Sequence, residues 1–352
     1  MNLSTPSPAA PTMLRHLLLR CLLAGCFAWG AQAVPVVAKD SEVAAEPTPV
    51  VLWHGMGDTC CMPFSMGAVK KKLEEKINGV YVRSLMIGKN EAKDQAGGFF
   101  MPILDQLDFA CEIIREDPKL AGGFHAIGFS QGGLFLRLLV QTCDVKIKNL
   151  ISIGGPQQGV YGFPQCTEPA VLCKEMDRLL ELGAYLPLVQ NRLVQAQYWH
   201  DPLNHQRYLA DNIVLPMLNN EKEVNATYAE RIQALENFVM VKFENDTVVI
   251  PRESEWFGFY VVGQSKDLET LQESSLYRED RLGLKQLDMS GRLHLLQCEG
   301  NHLDMPRGYF ESTIIPFLHA SSTPTRTLPA QAAQKGAASG EPETKGGAAG
   351  RW

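Results

Sequence analysis

From residue 49 to 156, short apolar runs alternate with stretches whose apolar residues recur at helical spacing. PVVLWHG (49–55), VYVRSLMIG (80–88), FHAIGF (124–129) and NLISIGGP (149–156) are brief, rich in β-branched and aromatic residues, and bounded by turn-forming residues. That is the pattern of buried strands. Between them, SMGAVKKKLEEKI (65–77) places Met66, Val69, Leu73 and Ile77 on one helical face, with Ser65 as N-cap candidate. MPILDQLDFACEIIRED (101–117) is a second amphipathic helix stopped by Pro118, and QGGLFLRLLVQTC (131–143) a third. This alternation predicts an α/β fold, a mostly parallel sheet with helices on both faces. The rhythm breaks after residue 156. Up to about 236 there are helical patterns, clearest in KEMDRLLELG (174–183) and YAERIQALENF (228–238), and no convincing strand. We expect a helical insertion there, forming a lid-like subdomain. Alternation resumes with FVMVKF (238–243) and RLHLLQCE (292–299), and RGYFESTIIPFL (307–318) is the expected last helix.

The 352 residues, 45% of them hydrophobic, suffice for one large domain with an insertion. A net charge of −6 gives no basic face for nucleic acid, which is not expected as a partner. At the N-terminus, Arg15 and Arg20 flank HLLL, CLLAGCFAWG supplies an apolar stretch, and AQA at 31–33 gives a small-x-small cleavage site. Residues 1–33 therefore read as a signal peptide and 34–48 as a linker to a domain at 49–319. The apolar run is too short to span a bilayer, and no later stretch suggests a transmembrane segment. Export places the cysteines in an oxidising compartment. Of nine, Cys21 and Cys26 leave with the signal, so an odd number remains and one thiol is left over. With neither C-x-x-C nor H-E-x-x-H, no metal or other cofactor is expected. Asn225-Ala-Thr227 and Asn245-Asp-Thr247 are glycosylation sequons. Residues 320–352, rich in Ala, Gly, Pro, Thr and Ser, are expected to be a disordered tail.

The stretch between the third strand and third helix carries chemistry. Gly128-Phe-Ser130-Gln-Gly132 fits G-x-S-x-G, in which a serine is lifted off the sheet by a strained turn and flanking glycines avoid collisions. A serine nucleophile needs a base, and the base an orienting acid. On α/β-hydrolase scaffolds the order is Ser, Asp or Glu, then His. His302 in CEGNHLDMP follows a strand directly and is the base of choice among the eight histidines. Asp246, just past FVMVKF, is the acid; Glu244 lies nearby and Asp304 comes too late in the chain. The oxyanion donors expected are the backbone N–H of Gln131, after the serine, and of Met56, in the glycine-containing loop HGMGDTCC. His54 in that loop reads as structural.

VVLWHGMGDTCC, GFSQGGLFLR, LISIGGPQQGVYGFPQC, RLVQAQYWHDP, FVMVKFENDTVVIPRESEWFGFY, LYREDRLGLKQLD and EGNHL resemble the palmitoyl-protein thioesterase family, most of all its lysosomal type 1 branch. The resemblance spans about 49–319. It implies an α/β-hydrolase fold and hydrolysis of long-chain acyl thioesters on S-palmitoylated proteins and peptides, releasing a fatty acid, during lysosomal breakdown. It implies delivery through the secretory pathway with some secretion, and a lysosomal sorting receptor as partner. The family's nucleophile, acid and base fall on Ser130, Asp246 and His302, its oxyanion donors on Met56 and Gln131. It further implies disulfides Cys111–Cys143 and Cys166–Cys173, with Cys60 and Cys61 as an adjacent pair, leaving Cys298 unpaired. The triad alone does not name the leaving group, so an acyl-CoA thioesterase or neutral lipid esterase is the alternative. A non-catalytic hydrolase-like binding protein would have lost a triad member, and none is missing.

Overall fold

The computed structural model describes residues 46–162 and 169–319. The expected signal peptide (1–33), the linker up to residue 45, Cys166 with its expected disulfide, and the tail 320–352 lie outside the described residues. Strand β1 (Val50–Trp53) is flanked by β2 (Val82–Ser84) and β3 (Phe124–Phe129); β4 (Ile147–Ile153), β5 (Asn237–Phe243) and β8 (Leu293–Cys298) extend the sheet. The order is β2-β1-β3-β4-β5-β8, and every pairing is parallel. A small antiparallel pair, β6 (Phe259–Tyr260) and β7 (Leu268–Glu269), stands apart.

Both faces of the sheet are covered, so its central strands are mostly apolar, with polar residues such as Lys148, Asn149 and Lys242 toward their ends. Alternation decides which residue faces which layer. Val51, Trp53, Phe124, Ala126, Leu150, Phe238 and Met240 share one core with residues of helices α3 (Ile103–Glu116), α4 (Gln131–Thr142) and α10 (Ala226–Gln233). Val50, Leu52, Ile127, Phe129, Ile151, Ile153, Val239 and Val241 face the other, closed by α1 (Met66–Lys76) and the chain end at Phe310–Leu318. This is an α/β-hydrolase fold.

Three expectations need correction, and one helix was not anticipated. Strand 80–88 shrinks to three residues because the Ile87 N–H is taken by the Asp94 carboxylate at 2.6 Å instead of a strand. That carboxylate belongs to an unanticipated helix, α2 (Glu91–Phe100), capped by the Asn90 side chain on Lys93 N–H at 3.0 Å. Ser65 stands at the N-cap of α1 but makes no cap; its hydroxyl donates to Asp58 instead. The last helix is not α-helical: Phe310–Ile314 is a π-turn and Ile315–Leu318 a 3₁₀ turn. Pro316 lacks the N–H that an α-helical ladder needs there.

Between β4 and β5 the described chain is helical: α5 (Ala170–Leu182), α6 (Pro187–Gln190), α7 (Val194–Gln197), α8 (His205–Asp211), α9 (Leu215–Leu218) and α10. An isolated bridge, Val160 to Trp199, is its one β feature among the described residues. Of the two clear helical patterns, the first lies within α5; the second runs past α10, and its last two residues, Asn237 and Phe238, open β5. Two further short helices, α11 (Ser275–Arg278) and α12 (Leu284–Met289), precede β8.

Candidate active site

Ser130 is the single residue between β3 and α4, held at φ 52° and ψ −125°. A positive φ is costly for a residue with a side chain, and here surrounding packing enforces it. A Cβ on Gly128 would lie 2.3 Å from the Gly132 carbonyl oxygen, and one on Gly132 would lie 2.4 Å from that of Trp53. The glycines of G-x-S-x-G are thus required by close backbone approach, as the sequence pattern predicts. The Ser130 N–H donates to the Ile153 carbonyl at 2.7 Å, fixing the turn against β4.

β5 and β8 are parallel neighbours, so their C-terminal ends open at one edge of the sheet, the usual place for ligand sites in such folds. Asp246 follows β5 and His302 follows β8. His302 Nε2 lies 2.8 Å from Ser130 Oγ, and His302 Nδ1 lies 2.5 Å from Asp246 Oδ2. The other Asp246 oxygen accepts the N–H groups of Val248 and Val249 at 2.7 and 2.9 Å. Burial alone would raise this carboxyl, but the hydrogen bonds from His302 and the backbone outweigh it and hold it below its ordinary value. Asp246 is buried while its neighbour Asn245 is exposed, so the sequon asparagine points away from the triad. Asn225 is likewise exposed, at the N-cap of α10. Asn301 was not anticipated: its Oδ1 accepts the N–H groups of His302 (2.7 Å) and Thr247 (3.0 Å), tying the base and acid loops together.

The loop after β1 lies against the serine; a Cβ on Gly55 would sit 3.1 Å from Ser130 Cβ. The Met56 N–H makes no hydrogen bond among the described residues. Gln131 opens α4, so its N–H has no intrahelical acceptor. Its side chain is anchored to the Gly98 carbonyl (3.0 Å) and accepts from Tyr198 OH (3.1 Å). What fixes the Met56 loop is Asp94, fully buried on α2. It accepts the Cys60 N–H at 2.8 Å and pairs with His54 Nε2 at 2.9 Å. Burial works against a charged His54, but the Asp94 hydrogen bond and charge prevail and raise its pKa. His54 is structural, as expected. The same loop carries the Cys60–Cys61 disulfide; Cys111–Cys143 joins α3 to the end of α4, and Cys298 is a buried free thiol.

Other described histidines lie away from Ser130. Burial drives His125 down to about 4 and His200 to about 3, the latter stacked between Tyr208 and Phe259. His294 bonds Asn237 in the sheet. Beside the serine loop, Phe99, Met176, Leu180, Val189 and Leu193 form a third apolar cluster, with half-buried Met56, Phe100, Leu172 and Trp199 on its border.

The palmitoyl protein thioesterase profile matches residues 49–302, a span that contains every residue of this constellation. The chain belongs to the palmitoyl-protein thioesterase family. It is 46% identical over 299 residues to palmitoyl-protein thioesterase 1 of Caenorhabditis elegans, covering 85% of this chain and 97% of that relative. It is 38% identical over 290 residues to palmitoyl-protein thioesterase 3 of Dictyostelium discoideum, covering 80% and 96%. Against a palmitoyl-protein thioesterase–dolichyl pyrophosphate phosphatase fusion of Schizosaccharomyces pombe, the identity is 36% over 296 residues, 81% of this chain and 47% of the fusion. In this palmitoyl-protein thioesterase chain, the residues singled out in the sequence, Ser130, Asp246, His302, Met56 and Gln131, come together at the C-terminal ends of the strands. The sequence did not predict Asp94 or Asn301, which hold the loops of the site in place.

Proposed function

We propose that the chain hydrolyses long-chain acyl thioesters on cysteines of proteins and peptides through an acyl-enzyme on Ser130. The unbroken hydrogen-bond chain from Asp246 through His302 to Ser130 Oγ carries this reading. His302 Nε2 takes the hydroxyl proton as Oγ attacks the thioester carbonyl, and Asp246 balances the imidazolium that forms. The N–H groups of Met56 and Gln131 receive the negative charge developing on the carbonyl oxygen. The thiol departs with the proton from His302. A water activated by the same imidazole then splits the acyl-serine to release the fatty acid.

The apolar cluster bordering Met56 supports an acyl substrate, since it continues from the loop that lies against the serine. Each methylene it shelters contributes about 0.8 kcal/mol. We further propose that the chain acts in the lysosome after export, reached through a sorting receptor. Two disulfides and two exposed sequon asparagines, Asn225 and Asn245, support an exported chain.

The test compares kcat/KM for a palmitoyl-cysteine peptide, the matched O-palmitoyl-serine peptide, palmitoyl-CoA and an acetyl-cysteine peptide. The palmitoyl-cysteine peptide should lead, and Ser130→Ala should lose roughly four orders of magnitude or more while remaining folded. Preference for the oxygen ester or for the CoA ester moves the assignment to those substrates. Equal rates for acetyl and palmitoyl chains remove the acyl-binding role of the cluster.

A further inference from the structure

A second carboxyl stands behind the triad. Glu255 lies on a 3₁₀ turn, Arg252–Trp256, and is fully buried. The turn is pinned on both sides of it: Ser254 Oγ donates to the Gly159 carbonyl at 2.6 Å, and Trp256 Nε1 to that of Met240 at 3.0 Å. Glu255 Oε2 accepts the Phe243 N–H at 2.9 Å, from the last residue of β5, three residues before Asp246. Glu255 Oε1 is buried and finds no donor among the described residues. One carboxylate oxygen from each of Asp246 and Glu255, with a ring nitrogen of His302, lie within 4.8 Å of one another.

Two ionised carboxylates at that distance, shielded from water, repel strongly, and such pairs hold a proton between them. The donors around them decide where it resides. Asp246 accepts three hydrogen bonds, from Val248, Val249 and His302, which favour its charged form. Glu255 accepts one. The remaining charged and titratable neighbours do not reverse this. Lys242 on β5 pairs with Glu244 at 3.3 Å and lies over the Trp256 ring. Cys298 on β8 is a buried thiol, pushed up to about 11, chiefly by burial. On its own turn, Arg252 is engaged by Glu253 at 3.5 Å and by the Glu244 carbonyl. Burial first, and then Asp246, push the Glu255 carboxyl well above its ordinary value.

We propose that Glu255 is a positioning residue that stays protonated in the working protein and donates its Oε1 proton to the Asp246 carboxylate. The donated bond holds Asp246 in place while His302 gains and loses its proton. Because Glu255 is neutral, the site behind His302 carries one negative charge and not two. A second charge there would favour the imidazolium over the neutral imidazole that the first step needs. The proposal rests on the catalytic reading of Ser130, Asp246 and His302.

Glu255→Gln keeps the shape and still offers N–H donors to Asp246; Glu255→Met keeps the volume and offers none. Infrared difference spectra of the intact protein near neutral pH should show the carbonyl stretch of a buried protonated carboxyl. The band should be missing from Glu255→Gln. This readout does not depend on turnover, so it separates failure of this proposal from failure of the catalytic assignment. In kinetics, Glu255→Gln should keep at least about a third of kcat with the acid limb of kcat/KM in place. Glu255→Met should lose about tenfold in kcat at nearly constant KM, the value of one hydrogen bond to a charged group. An acid limb displaced downward by half a unit or more in Glu255→Gln would show that Glu255 is ionised, and so overturn the proposal. Absence of the infrared band from the parent overturns it too. Parent-like kcat and acid limb in Glu255→Met would deny it any positioning role.

Discussion

The sheet and the helical insertion hold themselves together by different means. In β1, β4 and β5 the interior residues Val50–Leu52, Leu150, Ile151 and Phe238–Val241 are apolar and have no measurable exposure. Their backbone groups are satisfied by the ladder, so side chains contribute only packing. The insertion contains helices of four residues, α6, α7 and α9, too short to pair most of their own N–H and C=O groups. Buried carboxamides make up the difference. Gln190 donates to the carbonyls of Ala184 (2.8 Å) and Ala196 (2.7 Å) and accepts the Ile213 N–H (3.1 Å). Gln197 accepts the Ile103 N–H at 2.7 Å and donates to the Gln190 carbonyl at 2.6 Å. Asn212 accepts from Val214 and Leu215 at 3.0 and 2.9 Å. The interior of the sheet rests on apolar packing, and the insertion adds matched donors and acceptors to its own apolar contacts. The same truncation should therefore fail differently in each.

The sharpest way to break the contrast is at their junction. Arg137 on α4 is wholly buried and bonds Gln141 Oε1 (2.8 Å), Gln157 Oε1 (3.1 Å) and the Gln157 carbonyl (2.9 Å). Burial lowers its pKa to about 9, which still leaves it charged at neutral pH. Arg137→Met should cost about 3–5 kcal/mol, because several acceptors are orphaned at once. An unchanged urea midpoint would erase the distinction drawn here. Next comes Ile151→Ala in β4, expected to cost about 3 kcal/mol through a cavity. It should speed hydrogen exchange throughout the sheet. Gln190→Leu, near in volume but without donors, should cost about 2 kcal/mol. Its faster exchange should be confined to residues 184–213, with β3 to β5 unaffected; acceleration in the sheet would show that the regions unfold as one.

Histidines give the smallest effect and separate the regions by sign. His200, lowered to about 3, stays neutral in the folded chain while the unfolded chain takes up a proton below about 6.5. Its contribution is therefore lost as pH falls from about 6.5 toward about 3. His54 is raised, so its contribution is complete below about 6.5 and is lost as pH rises through its folded value. Between pH 7 and 5.5, the parent should lose about 1 kcal/mol more than His200→Gln. His54→Gln should move the opposite way, forfeiting a gain on acidification. Chemical denaturation at the two pH values reads both, and equal slopes in the two variants would contradict the assignments.

The contrast also explains what could be read from the chain. The six sheet strands were legible because apolar runs are required wherever both faces are buried. Ser130, Asp246 and His302 were legible because each follows such a run. The insertion was visible only as a loss of strand rhythm; its Gln and Asn residues look like surface until the irregular backbone they serve is known. Helix α2 was missed for a related reason. EAKDQAGGFF carries charges and two glycines with little apolar periodicity, and Asp94, its key residue, is a carboxylate buried without exposure. Glu255 in RESEW likewise reads as part of a solvated, charged turn. Buried polar groups are placed by partners distant in sequence, which hydropathy does not encode.

The hydrogen bond between Ser130 and His302 joins residues 172 apart in sequence. β4 and β5, adjacent in the sheet, are separated by the whole insertion, and the Asn149 side chain is held by the Phe317 carbonyl near the end of the described chain. Synthesis therefore delivers the nucleophile long before its base. A chain interrupted before residue 302 has a serine with nothing to activate it. Closing such long loops must precede most of the contacts that reward them, which makes folding slow relative to helical proteins of similar size. Activity consequently reports completion: the first turnover of a newly made molecule marks the moment its last strand has docked.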